Sequence, residues 1–191
     1  GVSSLQTAPG STAVSVGAAV GVNVAKHSNS AVVRNAIIRA DGLELAADSS
    51  EVQAVVSAAS GYSDASIGVG GAVTVLVGSA KTLALVENNA DLTLGSGGLN
   101  ISAAADATFE NEADGSAKGQ GSSLGVGASI AVSVTGVDTL AWVEDGVAIK
   151  SLTPDGIGSV TIEANTAESS LVSAKAGSAG GISVTPVLAL G

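Results

Sequence analysis

VGAAVGVNV, residues 16–24, returns as VGGAVTVLV at 69–77, as VGASIAVSV at 126–134 and, shortened, as VTPVLAL at 184–190. The starts lie 53, 57 and 58 residues apart. Each full copy also carries an Ala-x-Val triplet 15 residues after its start, at Ala31, Ala84 and Ala141. Two spaced signals that recur together mark stacked supersecondary units sharing one core.

Within a copy the period is that of a strand. Ile67, Val69, Gly71, Val73, Val75 and Val77 share one face, and Gly68, Gly70, Ala72, Thr74 and Leu76 the other. The density of β-branched residues and glycine disfavours a helix. The larger face is expected to be the core, which leaves mostly Gly, Ala and Ser pointing outward. After a turn at 78–81 or 135–138 a second strand is expected at 82–87 or 139–144. An Asn-Asn or Asp-Gly turn follows, then a short strand at 91–94 or 147–150, and a third strand at 43–47, 99–103 and 160–164. Asp41-Gly42, Asp114-Gly115, Asp145-Gly146 and Asp155-Gly156 are turn signals, because Asp bonds local backbone and Gly accepts positive φ. A more polar stretch, read as an outer strand or irregular edge, ends in a Gly/Ser-rich link.

Composition agrees with a thin core. Apolar residues make up 46% of the chain, yet there is one Phe, one Tyr, one Trp, no Met and 26 Gly among 191 residues. Units of about 57 residues with so few aromatics are marginal as independent domains. The expected fold is therefore all-β: an elongated parallel β-solenoid whose repeated strands stack like on like. A row of antiparallel β-sandwich units is the alternative. The repeats are assigned as 13–65, 66–122 and 123–180. Residues 1–12 align with the end of a preceding copy and 181–191 with the start of a fourth, as in a piece of a longer array.

Seven basic against seventeen acidic residues, net charge −10, argue against nucleic acid and anionic membranes as partners. The absence of Cys removes disulfide and thiolate chemistry. No apolar run approaches the roughly 20 residues of a spanning helix, so no membrane insertion is expected. Gly68-x-Gly70 and Gly125-x-Gly127 lie inside strands, whereas a phosphate loop needs a strand-to-helix turn. His27 is the single histidine, placed in an exposed turn, which excludes a triad or a histidine metal cluster. Asp106, Glu110, Glu112 and Asp114 form the one dense acidic set. They are read as a solvated edge that discourages strand pairing rather than as a glycosidase pair. Calcium is the one ion the residues suit, weakly, through Glu87, Asn88, Asn89 and Asp91 or Glu144, Asp145 and Asp155. Otherwise no metal or cofactor and no catalytic residue is assigned. Trp142, at the position of Leu85 and Val32, is read as a core or interface filler.

The succession VGxGxAVxVxV, Ala-x-(Val/Ile)-Glu with Asp/Asn turns, L-x-(I/L)-x-A and a polar Ala/Ser run resembles the tandem repeats of giant bacterial surface proteins. The family this succession is most similar to in these motifs is the leukotoxin-type filamentous adhesins, with autotransporter-like and haemagglutinin-like passengers behind it. The first copy departs from it, with Val33-Arg34-Asn35 where the others have Val86-Glu87 and Val143-Glu144. The resemblance implies a secreted, non-enzymatic segment of an extracellular or cell-surface fibre. Its repeats would supply length, and its partners would be further copies of itself, neighbouring repeats or a host or cell-surface receptor. A carbohydrate-binding or hydrolytic passenger on a β-solenoid is the alternative.

Overall fold

A computed structural model describes residues 2–5, 14–61, 66–117, 124–179 and 181–191. Residues 6–13 and the links at 62–65 and 118–123 lie outside the described residues.

The fold is a parallel β-solenoid of two facing sheets. In sheet A, β2 (Val14–Val33), β4 (Ile67–Val86) and β6 (Leu124–Val143) run parallel. The register is like on like, with Val16 against Val69 against Val126 and Ala31 against Ala84 against Ala141. β9 (Ile182–Val184) and β10 (Val187–Leu190) continue the stack on β6. On the far edge β1 (Val2–Leu5) lies antiparallel to β2, where a preceding coil's strand would run parallel. Sheet B contains β3 (Ile37–Ala59), β5 (Asp91–Asp114), β7 (Ala148–Ser151) and β8 (Val160–Lys175), with β5 in the middle. One coil is thus a strand in each sheet, joined by the turns at 34–36, 87–90 and 144–147.

The strands are longer than the sequence suggested. Residues 78–81 and 135–138 are not turns: β4 and β6 run through them as single strands of 20 residues. At about 3.3 Å per residue each spans about 66 Å, so three coils make a block much longer along the strands than along the stack. The polar stretch is likewise no separate edge but the second half of β3, β5 and β8. Asp41-Gly42 falls at a register shift in β3, not at a turn. Asp145-Gly146 and Asp155-Gly156 do turn, with positive φ at both glycines.

The sense of the first strand is also reversed. Gly68, Gly70, Ala72, Thr74 and Leu76 face sheet B and are buried, and the Val face points outward. The cause is the spacing of the sheets. A Cβ on Gly17 would lie 2.6 Å from the Gly61 carbonyl oxygen, one on Gly70 2.9 Å from those of Gly115 and Ser116, and one on Gly127 2.7 Å from that of Gly177. Valine cannot enter a gap that excludes a methyl group.

The interior is therefore a wedge. Near the 87–90 turn it holds Val86, Leu92, Leu94, Leu99 and Ile101. Midway Phe109 fills the space over Gly78, with Leu76, Ala80 and Ala107 around it. At the far end, among the described residues, the buried cluster is Ala72, Ala113 and Ala131, with Val172 and Ala174 partly buried against it. Amide groups pin the sheets together: Asn111 Nδ2 donates to the Val132 carbonyl at 2.6 Å and Asn23 Nδ2 to that of Val55 at 3.0 Å.

Candidate interaction surface

Because the small residues turn inward, sheet A presents its large residues to the outside. They form rows that cross the strands, such as Val16/Val69/Val126/Val184 and Val20/Val73/Ile130/Leu188. Six such rows lie between positions 14 and 24 of β2, one of them small (Ala18/Gly71/Ala128). Two polar rows follow, Lys26/Ser79/Gly136 and Ser28/Lys81/Asp138. Two more complete the face, Ser30/Leu83/Leu140 and Val32/Leu85/Trp142. Val24 keeps 62% and Trp142 53% of its surface exposed. Trp142 shares its row with Leu85 and Val32, as the repeat implied, but it belongs to the outer face and not to the core.

The outer face of sheet B has the opposite character. Asp106, Glu110, Glu112 and Asp114 alternate along β5 and so share that face. Because β5 is flanked by β3 on one side and β7 and β8 on the other, they are not guarding an edge. Lys175, in the next coil, is ion-paired with Glu112, which raises the ammonium pKa.

The candidate calcium ligands are spread over turns and paired. Arg34 donates to Glu87, and this bond holds the Glu87 carboxyl below its ordinary range while raising the guanidinium. Glu144 Oε2 accepts from the Asn88 backbone N–H at 2.8 Å, and Asp91 pairs with Lys150 at 2.6 Å. Asp145 and Asp155 occupy exposed turns. No group of three or more His, Asp or Glu side chains among the described residues is arranged to hold a metal ion. The ladder instead links the turns of successive coils. Asn89 Nδ2 donates to Asn35 Oδ1 at 3.2 Å, and both residues take positive φ.

His27 lies within β2, not in a turn, on the inward column of Ala80 and Val137. With Lys26, Glu51, Gln53 and Phe109 it lines a cleft of about 490 Å³. The cleft opens where the β3 register shifts between Ser49 and Val52 and Glu51 takes a φ of 64°. Among the described residues Glu51 is the one carboxylate in its lining. The sequence missed this site because it read the His27 segment as a turn.

The ends of the stack differ from its middle. Leu99 and Ile101 of β5 are 1% and 0% exposed, but their register partners Val160 and Ile162 in β8 are 50% and 48% exposed. No helix among the described residues is long and apolar enough to cross a membrane. Compared with models of known families, with curated proteins and with solved structures, the chain matches none.

Proposed function

We propose that this chain is a structural segment of an extracellular or bacterial cell-surface fibre, in the manner of the filamentous adhesins its repeats resemble. Its coils supply length, and stacking of one chain's end coil on the next extends the fibre. The observation that carries the reading is the like-on-like register of the coils, in which Leu43, Leu99 and Val160, and likewise Leu45, Ile101 and Ile162, form continuous columns. A further coil in the same register, from the chain's own continuation or from another chain, would cover Val160 and Ile162. The backbone edge of a last strand such as β8 is a template for another strand. A tip or a strand face would carry adhesion to a host or cell-surface receptor.

Cryo-electron microscopy of the purified chain in physiological buffer, with and without chelator, tests this. The expected result is filaments with an axial strand spacing near 4.8 Å, unchanged by chelator. Discrete particles at all concentrations would overturn end-to-end assembly and leave a passive spacer. Loss of filaments on chelation would restore calcium as a cofactor.

A further inference from the structure

The fibre reading concerns the ends of the stack; the outer face of sheet A carries a separate inference. We propose that this face is a self-pairing surface, on which two copies pack sheet A against sheet A about a two-fold axis running along β4.

The area suits a partner. Each outward position occupies about 33 Å² of sheet, from about 4.8 Å between strands and about 6.8 Å between alternate residues. Counted over β2, β4 and β6, the six rows at one end therefore present about 600 Å², and the two beyond the polar rows about 200 Å². The first patch stands at the top of the range of about 300–600 Å² for the largest apolar patch of a typical monomer, and the two together match the about 800 Å² that a stable interface covers on each partner. The face thus has the size of half a standard interface.

The order of the rows selects the axis. Along each strand the face reads apolar, then polar at positions 26 and 28 of β2, then apolar again over a shorter stretch. An axis along the stack would reverse the rows and set Lys26 and Ser28 against Val20 and Ala18, leaving charge buried without a partner. An axis along the strands keeps every row facing itself, polar on polar, in the near-parallel alignment that packed sheets adopt. β4 is central in the order β1-β2-β4-β6-β10, so that axis passes through it.

The same operation exchanges the first coil with the third, and the side chains complement one another under that exchange. Trp142 of one copy meets Val32 of the other, and Leu85 meets Leu85. Leu140 meets Ser30. Bulk in the third coil is matched by its lack in the first. Charge is balanced across the two polar rows: Lys81 meets the partner's Lys81 on the axis, flanked in its row by Asp138 of each copy, and Lys26 of the first coil comes within one row of Asp138 of the partner's third coil, twice over. The two-fold axis makes each of these contacts occur in both directions.

Light scattering after gel filtration, with site-directed cross-linking, tests the proposal. With end-to-end stacking blocked by Val160→Lys and Ile162→Lys, the chain is expected at twice the 18.0 kDa of one chain. Val73→Glu, an outward substitution on the axis, should halve that mass with the far-ultraviolet circular dichroism unchanged. Since the chain has no cysteine, single cysteines report the geometry without interference, even if the charged variant misfolds. With a short bis-maleimide, Val73→Cys chains should link to each other. Val20→Cys chains should link to Ile130→Cys chains and not to their own kind. A monomer at tens of micromolar, a Val73→Glu variant that keeps the dimer mass, or self-linking of Val20→Cys would each overturn the proposal. A monomer that floats with phosphatidylcholine vesicles would assign the face to lipid and overturn it too. The outward substitutions themselves leave Val160, Ile162 and the end strands unchanged, so placed in the parent chain they let end-to-end filaments be scored separately by cryo-electron microscopy.

Discussion

The two ends of the wedge-shaped interior are built on opposite principles. Beside the 87–90 turn the sheets stand apart and Leu92, Leu94, Leu99 and Ile101 fill the gap. At the other end Gly70 lies under the carbonyls of Gly115 and Ser116, and the buried cluster among the described residues is Ala72, Ala113 and Ala131. One end gains stability from buried volume, the other from close approach of two backbones. Removing atoms should damage the first, and adding atoms the second.

The largest effect is expected at the wide end. Leu94 is fully buried in the middle coil, between like strands on both sides. Leu94→Ala removes buried methylenes that neighbours in register cannot easily replace, so it should cost about 2–5 kcal/mol. Urea unfolding of the two proteins measures it. A loss below about 1 kcal/mol would mean that the wide end collapses onto the gap.

At the narrow end the sign of the size rule reverses. Gly70→Ala places a methyl group 2.9 Å from two backbone oxygens that cannot rotate away, so it should cost about 1–3 kcal/mol, as overpacking does. Its neighbour Gly71 is the control, since a Cβ there meets nothing within 4 Å. Gly71→Ala should stabilise by about 0.5–1 kcal/mol through the lower entropy of the unfolded chain. Equal effects at the two adjacent glycines would refute the tight approach of the sheets.

That pair of glycines also shows what was legible in the sequence. The stacking register was, because Val16, Val69, Val126 and Val184 and the downstream alanines repeat at matched offsets, and a parallel ladder places like on like. Which face is buried was not. Alternation gives the period of a strand but not its sign when both faces lack charge, and the larger side chains are the default core. The missing signal was parity. Lys26, Lys81 and Asp138 fall an even number of residues after Val24, Val77 and Val134, so in an unbroken strand the charges and the valines share a face. Reading 78–81 as a turn cut that connection. Gly78 there accommodates Phe109 from the opposite sheet rather than a bend. The cleft at His27 was hidden by the same step, and the self-pairing face could not be read while its valines were assigned to the interior.

The smallest effect is expected in the turn ladder, outside the wide end. Arg34 and Glu87 join the first two coils, but the Arg34 side chain is 60% exposed, so solvent screens the pair. The Glu87 pKa lies below its unfolded value because Arg34 donates to the charged carboxylate. A depressed folded value means that the contribution is present above the unfolded pKa of about 4.3 and is lost as pH falls through the folded one. Glu87→Gln should therefore lower the melting temperature slightly at pH 7. The difference from the parent should narrow below about pH 4.3 and should also shrink in 1 M salt. A gap that persists at pH 2 would trace the loss to the geometry of the turn, and the wide end would then depend on its surface ladder as well as on the leucines beneath it.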